Sequence, residues 1–265
     1  MYKMVIHRAY SVLGSVAIVN FPRGTAKKEK KKFALDLLKK NKAVKTVLSK
    51  SHIFSGRLRT MKTKYLAGEK TKEVVYRENG CVFRFNVDKT YFSPRLSNER
   101  KEMLSKVKKG DEVFVMFAGV APFSIVIAKN TKASKVYSNE LNKRANKYAE
   151  MNIELNKVKD KVILVNGDVR KVAKKLAKEK RKFNIILMPR PQLKNSFLKE
   201  AFMLSKKGTK IYYYDFCKVN EVDSKVEMIK SEASKFGKKI KILKIKPAGE
   251  IAPYKIRVRV DFEVL

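Results

Sequence analysis

The sequence predicts an α/β fold with a mainly parallel sheet, preceded by a small α+β domain. From residue 113 onward, apolar strand-like runs alternate with helix-like segments, the pattern of parallel strands joined by crossover helices that cover both faces of a sheet. The last two strands follow each other without room for a helix, so they are expected to pair antiparallel. Because the first 88 residues instead show short strands around one helix, we expect two domains, residues 1–88 and 89–265.

In the first domain, local patterns indicate one helix and one hairpin. Between Ala26 and Lys40 the apolar residues recur at helical spacing on one stripe, with lysines on the other faces. Asn79-Gly80 separates two apolar runs, which is a hairpin signal. The predicted strands are Val16–Val19, Val44–Leu48, Glu73–Arg77 and Cys81–Val87.

The second domain begins with a strand that leads into a turn of small residues. Such a turn after a first parallel strand lets the backbone approach a nucleotide-like ligand closely. Many α/β proteins carry the same turn for packing alone, so the turn leaves both interpretations open. The clearest helices are Leu141–Leu155 and Val169–Lys180. The predicted strands are Val113–Phe117, Lys135–Ser138, Val162–Val165, Phe183–Met188, Lys210–Phe216, Lys239–Lys246 and Tyr254–Leu265.

The chain is strongly basic. Its formal net charge is +38, from 63 Lys and Arg against 25 Asp and Glu. Such an excess works against a compact chain unless a polyanion neutralises it, and nucleic acid is the leading candidate. Part of the excess can also be lysine spread over a solvated surface, as in the run Lys27–Lys32. With 44% hydrophobic residues the chain can still bury a core, so wholesale disorder is not expected.

Membrane, disulfide and metal sites are not indicated. No uninterrupted apolar run approaches the ~20 residues of a membrane span, and the N-terminus lacks a signal pattern. Cys81 and Cys217 stand far apart without neighbours at ligand spacing, which favours a reducing cytoplasm over a disulfide or zinc site. His7 and His52 are equally isolated, so no catalytic metal is expected. A monomer is the default expectation.

Two blocks carry a resemblance to a known family. Tyr91–Arg100 and Val113–Phe123 resemble the archaeal and eukaryotic tRNA (guanine-37 N1)-methyltransferases, and the resemblance extends over nearly the whole chain. That family has a Tyr-Phe-Ser-Pro-Arg-Leu…Glu-Arg segment, intact here, before an Asp-x-Phe-Ala-Gly-x-Gly-Pro-Phe turn. The turn departs twice, with Val115 in place of the Asp and Ala121 in place of the second Gly.

The resemblance implies a fold, a cofactor and a partner. The fold would be a Rossmann-like class I methyltransferase domain, with a mainly parallel sheet and an antiparallel final strand, after a small α+β domain that contacts RNA. The cofactor would be S-adenosylmethionine, and the partner would be the anticodon-loop region of tRNA in the cytoplasm.

The expected cofactor site lies at the carboxyl ends of the strands, where open parallel sheets bind ligands. Glu140 ends a predicted strand, where an acid can accept hydrogen bonds from ribose hydroxyls; it could instead be an acid favoured by a helix N-terminus. The resemblance assigns an adenine contact to Asp168, which could instead be a helix N-cap. The predicted cofactor-binding residues are Arg95, Phe117, Ala118, Gly119, Pro122, Glu140, Leu141, Asp168, Val169 and Pro189.

Methylating guanine at N1 requires a base for the N1 proton and a cation for the charge that develops on O6. The resemblance assigns these roles to Glu99 and Arg59, and a stacking or walling role against the extruded base to Tyr91. The alternative is that Glu99 and Arg100 form an ordinary charge pair at the start of an exposed, lysine-rich helix.

The segment after the fourth strand departs from the family. Pro189, Arg190 and Pro191 stand where the family has Asn-Leu-Pro or a similar tripeptide that meets the target base, and we predict base contacts from Arg190 and Pro191. Because the Asn side chain is absent, an alternative is an enzyme that also, or instead, methylates C7 of a wyosine-type tricyclic guanosine at position 37. Together with Val115 and Ala121, the missing Asn also leaves open a catalytically silent RNA-binding module.

Overall fold

A computed structural model describes residues 10–51, 58, 60–190 and 192–265. The chain divides into two compact units, residues 1–78 with 82–92 and residues 79–81 with 93–265. Tyr91 therefore groups with the first unit. Arg59 and Pro191 lie outside the described residues, and their predicted roles remain predictions.

The first unit contains a four-stranded sheet with one helix, α1 (Lys27–Lys40), packed on it. The predicted helix is thus confirmed. The strands occur in the order β1-β2-β3-β4, with β2 and β3 parallel and the two outer pairs antiparallel. Sequence patterns did not predict the first or the fourth strand. The strands are β1 (Tyr10–Leu13), β2 (Val16–Val19), β3 (Thr46–Lys50) and β4 (Thr63–Gly68), followed by the predicted hairpin of β5 (Glu73–Glu78) and β6 (Cys81–Asn86).

The helical stripe in α1 faces the sheet. Ala34 and Leu37 are buried against Ala17, Val19 and Val47 from the two central strands, while most of the lysines remain exposed. Burial of this apolar stripe, rather than helix propensity alone, stabilises a helix that carries so many like charges.

Two glycines of the first unit have positive φ, but only one of them lacks space for a side chain. Gly68 has φ +90, and a Cβ there would lie 2.0 Å from the carbonyl oxygen of Lys45; Gly24 has φ +81 with open space around it. We expect Gly24→Ala to cost about 1–2 kcal/mol, the penalty of a left-handed residue. Gly68→Ala should cost a further ~1–3 kcal/mol, because the chain must also move away from a backbone oxygen. Urea unfolding followed by circular dichroism checks both, and equal losses would contradict the steric argument.

The second unit is built on a seven-stranded sheet in the order β12-β13-β11-β10-β7-β8-β9. Strands β7 to β11 pair parallel, and β13 pairs antiparallel with both β11 and β12. This confirms the predicted mainly parallel sheet with an antiparallel final strand. The strands are β7 (Glu112–Val115), β8 (Lys135–Glu140), β9 (Val162–Asn166), β10 (Phe183–Met188), β11 (Ser205–Lys218), β12 (Ile240–Ala252) and β13 (Lys255–Val264).

Helices cover both faces of this sheet. Phe114 of β7 and Met116, just after this strand, contribute to a buried core with apolar residues of α5, α6 and α7. The helices α2, α3 and α4 pack with one another or against β8 and β9 instead. The helices are α2 (Ser97–Leu104), α3 (Pro122–Asn130), α4 (Lys143–Leu155), α5 (Val169–Lys178), α6 (Leu198–Leu204) and α7 (Val222–Lys235). Across the described ranges, no helix has the length and apolar character needed to cross a membrane.

Candidate active site at the carboxyl edge of the sheet

The segments that follow β7, β8 and β9 meet at the carboxyl edge of the sheet. The backbone N–H of Ala118 donates to the carbonyl of Asn139 at 2.8 Å, and the N–H of Gly167 donates to the carbonyl of Glu140 at 2.9 Å. The buried amide of Asn139 also donates to the carbonyls of Val165 and Gly167. These bonds fix three predicted cofactor segments side by side.

The turn after β7 has left-handed backbone conformations at Phe117, Gly119 and Ala121, with φ between 56 and 64. A non-glycine residue in this region costs roughly 1–2 kcal/mol, and Ala121 accepts it while fully buried. Val115 is buried in β7, where a carboxylate would be costly without partners. Both departures from the family's turn are therefore accommodated by the local packing.

Glu140, the last residue of β8, is bound to this turn. Its Oε2 accepts the N–H of Gly119 and its Oε1 accepts the N–H of Asn142, each at 2.8 Å. Burial raises the pKa of the Glu140 carboxyl, and these backbone donors oppose the shift. Since a carboxylate offers about four acceptor positions, capacity remains for a ribose hydroxyl. The residues present thus fit a nucleoside at this edge.

Replacing Glu140 by glutamine should change how stability depends on pH. The folded-state pKa of Glu140 is raised, so the native state holds more protons than the unfolded state above the unfolded pKa, near 4.3. Stability is therefore lost as pH rises through the folded pKa. The stability of Glu140→Gln relative to the wild type should increase from pH 4.5 upward, measured by urea unfolding. A difference independent of pH would contradict this effect of burial.

Asp168 occupies the N-cap position of α5. Its side chain accepts the backbone N–H of Arg170 at 3.0 Å and the Arg170 guanidinium at 2.7 Å. The N-cap alternative is thus observed, while the adenine contact remains a prediction. Arg95 is exposed in a short 3₁₀ turn, Pro94–Leu96, that leads into α2.

Glu99 is buried on α2 and is bound by three donors. Its Oε2 accepts from Arg259 Nη1 at 2.6 Å and from the Tyr214 hydroxyl at 3.0 Å, and its Oε1 lies 2.9 Å from Lys246 Nζ. Arg100 is buried as well. The alternative of an exposed charge pair at the start of this helix is therefore wrong, because both side chains point into the protein.

Glu99 belongs to a larger group, the Glu99 cluster, which comprises Glu99, Glu102, Tyr214, Lys246, Arg259 and Asp261. Fully buried Arg259 also binds Glu102 and Asp261, each at 2.6 Å. The bond to Arg259 lowers the pKa of Glu102 to about 2, and burial raises the pKa of Asp261. Three carboxylates face two cations, so the ionised cluster holds one excess negative charge.

The Glu99 cluster lies at the same edge as the turn after β7. Tyr213 of β11 is paired with Met188, the last residue of β10, and Tyr214 follows directly. The Tyr214 ring lies 6.2 Å from the ring of Phe123, in the first turn of α3, between ring centroids. Two side chains thus connect Glu99 to the predicted cofactor turn.

Arg190, after β10, points into the protein. Its side chain is 2% exposed, and both terminal nitrogens are used: Nη1 by Asp215 and the Tyr213 hydroxyl, Nη2 by the carbonyls of Leu193 and Asn195. This leaves Nη1 and Nη2 no free N–H for a base, whereas the sequence predicted that Arg190 contacts the base.

A cavity of about 320 Å³ lies next to this segment, and none of the residues that line it was a predicted site residue. They are Arg170, Lys194, Asn195, Ser196, Phe197, Lys199, Glu200 and Glu232.

Sequence reasoning missed the partners of Glu99. Arg259 and Lys246 lie on the last two strands, more than 140 residues along the chain from Glu99. The available signal was an arginine within the apolar alternation of β13, which is unusual for a buried strand. The register between β11 and β13 pairs Arg259 with Tyr214, and this pairing brings Arg259 to Glu99.

The strand order, the antiparallel final strand and the nucleoside-compatible carboxyl edge together define a Rossmann-like methyltransferase. The TRM5/TYW2 methyltransferase domain family matches residues 74–243, and the TYW2 N-terminal domain family matches residues 3–71. The chain belongs to the TRM5/TYW2 methyltransferase family.

Individual relatives agree with this assignment. The chain is 35% identical to the tRNA (guanine(37)-N(1))-methyltransferase Trm5b of Pyrococcus abyssi, over 97% of this chain and 74% of the relative. It is 34% identical to the tRNA (guanine(37)-N(1))/4-demethylwyosine(37)-methyltransferase Taw22 of Nanoarchaeum equitans, over 97% of this chain and 100% of the relative.

Solved structures show the same similarity. A complex described as aTrm5 and tRNALeu superposes with a TM-score of 0.85 at 29% identity, covering 97% of this chain and 72% of that one. TYW2 of P. horikoshii in complex with MeSAdo superposes with a TM-score of 0.81 at 26% identity, covering 97% and 90%.

Proposed function

We propose that this chain is an S-adenosylmethionine-dependent tRNA methyltransferase that modifies N1 of guanosine 37. The observation that carries the proposal is the buried Glu99 carboxylate, held by Arg259, Lys246 and Tyr214 at the edge that also carries the nucleoside-compatible turn. Relatives that cover nearly the whole chain carry this activity in their names, and a related enzyme has been solved with tRNALeu.

S-adenosylmethionine supplies the electrophilic methyl group when bound. The turn Phe117–Pro122 would approach it through the backbone, and Glu140 would accept a ribose hydroxyl. The remaining predicted contacts come from Leu141, Asp168, Val169, Pro189 and Arg95. Ligands in the titles of similar structures, MeSAdo among them, belong to the same chemical class.

The charge balance of the Glu99 cluster suits proton uptake. N1 of guanine must lose its proton as the methyl group arrives, and a positioned carboxylate accelerates such a transfer by about 10²–10⁴-fold. Because the ionised cluster holds one excess negative charge, taking the proton neutralises it instead of leaving a buried net charge. Glu99 and Glu102 both lie on α2 and contact both cations. Of the two, Glu99 is the more deeply buried and also accepts from the Tyr214 hydroxyl.

Two further roles rest on the family resemblance. Arg59 would stabilise the negative charge that builds on O6, and Tyr91, which is partly buried in the first unit, would stack on the extruded base.

The deciding experiment supplies radiolabelled S-adenosylmethionine with unmodified tRNA transcripts that carry guanosine or adenosine at position 37. Nucleoside analysis should give N1-methylguanosine from the guanosine transcript only. Label in both transcripts, or in neither while a tricyclic substrate is labelled, would overturn N1 of guanosine 37 as the primary acceptor.

A second candidate function is methylation of C7 in a wyosine-type tricyclic guanosine at the same position. Two observations favour it. The segment after β10 lacks the family's Asn side chain that meets the base, and its Arg190 is buried. A relative matched over its full length is named for both activities. The same assay on tRNA carrying the tricyclic base tests it.

We further place the enzyme in the cytoplasm. Cys81 and Cys217 are both buried as thiols, which suits a reducing compartment.

A further inference from the structure

Residues 189–190 and 192–197, here called the β10–α6 loop, lie between β10 and α6 at the carboxyl edge, beside the proposed cofactor turn. Its end is packed against that turn, since the ring of Phe197 lies 5.1 Å from the ring of Phe117, centroid to centroid, in an edge-on arrangement. Asn195 and Phe197 also line the 320 Å³ cavity. The shape of this loop therefore affects what can bind at the edge.

The guanidinium of Arg190 connects this loop to β11. Arg190 Nη2 donates to the carbonyls of Leu193 at 2.5 Å and Asn195 at 2.6 Å, which folds the loop back on itself. Arg190 Nη1 donates to Asp215 at 2.5 Å and to the Tyr213 hydroxyl at 3.1 Å, which ties the loop to β11. Arg190 is thus a cross-link rather than an exposed contact residue.

The cross-link has a rigid receiving site. Asp215 is 5% exposed, and it also accepts from Lys225 Nζ at 3.0 Å and from its neighbour's backbone, the N–H of Phe216, at 2.7 Å. A planar guanidinium presents its N–H groups in a fixed fork, so it can serve two loop carbonyls and one carboxylate at once. A lysine ammonium carries the same charge but cannot reproduce this geometry. Arg190 Nε is buried with no hydrogen-bond partner among the described residues, so Nη1 and Nη2 make the described hydrogen bonds of this side chain.

We propose that Arg190 is the positioning residue that sets the shape of the β10–α6 loop over residues 192–197 and thereby the placement of the acceptor base relative to the methyl donor. The inference rests on the proposed function for its kinetic part and on the structure alone for its conformational part. Arg190 acts through the loop backbone and does not touch the base through Nη1 or Nη2.

The test compares Arg190→Lys with Lys225→Met. Both variants remove a contact to Asp215, but only the first releases the loop carbonyls. For Arg190→Lys, kcat on tRNA should fall roughly 10- to 100-fold, the cost of ångström-scale misplacement. The KM for S-adenosylmethionine should stay within about twofold, because uniform binding is unaffected. Lys225→Met should change neither value by more than about twofold. Asp215→Asn should reproduce the kcat loss of Arg190→Lys.

Amide hydrogen exchange supplies a readout that does not depend on turnover. Exchange at residues 192–197 should accelerate in Arg190→Lys and Asp215→Asn but not in Lys225→Met. Unchanged exchange there, or equal kcat for Arg190→Lys and Lys225→Met, would overturn the inference. Absence of tRNA methylation by the wild type would instead refute the proposed function, and the exchange data would still decide the role of Arg190 in the loop.

Discussion

Glu99→Gln is expected to lower methyl transfer to tRNA by about 10²–10⁴-fold, the contribution of a positioned general base. The amide keeps the size of the side chain and can still accept from Tyr214 or Arg259, but it cannot take a proton from guanine N1. Single-turnover kinetics with saturating tRNA and cofactor measure the chemical step directly. Binding of S-adenosylhomocysteine should be nearly unchanged, since Glu99 does not belong to the proposed cofactor contacts.

Glu102→Gln is the matched control for this prediction. Glu102 lies on the same helix and binds the same two cations, Arg259 and Lys246, so its replacement perturbs the cluster without touching the proposed base. If both variants lose the same amount of activity, the effect belongs to the cluster as a whole and the assignment of Glu99 as the base fails.

Arg259→Leu is expected to destabilise the second unit by about 3–5 kcal/mol, the usual cost of removing one partner from a buried ionic group. Arg259 is fully buried and binds Glu99, Glu102 and Asp261. Without it, Lys246 alone faces three carboxylates. Urea unfolding at neutral pH measures the loss.

The loss should shrink as the pH falls. Arg259 lowers the pKa of Glu102 to about 2, so the stability from this carboxylate is present above its unfolded pKa, near 4.3, and is lost as pH falls toward the folded value. The difference in the free energy of unfolding between wild type and Arg259→Leu should therefore narrow between pH 5 and pH 2.

Arg257→Leu is the control on the same strand. The described contact of Arg257 is the Phe216 ring, 5.0 Å from the guanidinium, and such a contact contributes only about 0.5–1 kcal/mol at an exposed site. Equal losses from the two arginines would contradict a special role for the buried cluster.

Most of the second unit's architecture could be predicted from local pattern. Apolar runs with intervening helix signals located all seven strands, and β10 was predicted with its observed bounds. Sequence bounds were less accurate for the longer strands: β11 begins at Ser205, five residues before its predicted start. In the first unit, β1 and β4 were not predicted, because polar and apolar residues do not alternate regularly in Tyr10–Leu13 or Thr63–Gly68.

The sequence by itself determined the order of elements, the basic net charge that favours a polyanionic partner, and the motifs that contain Glu99, Glu140 and the small-residue turn. Periodicity, charge and short motifs are local properties, so one chain suffices to show them. Only the tertiary structure decided which distant side chains meet. The register between β11 and β13 brings Arg259 to Tyr214 and Glu99, and the fold turns Arg190 inward to Asp215. Such pairings depend on strand order and side-chain direction across more than a hundred residues, which no local pattern encodes.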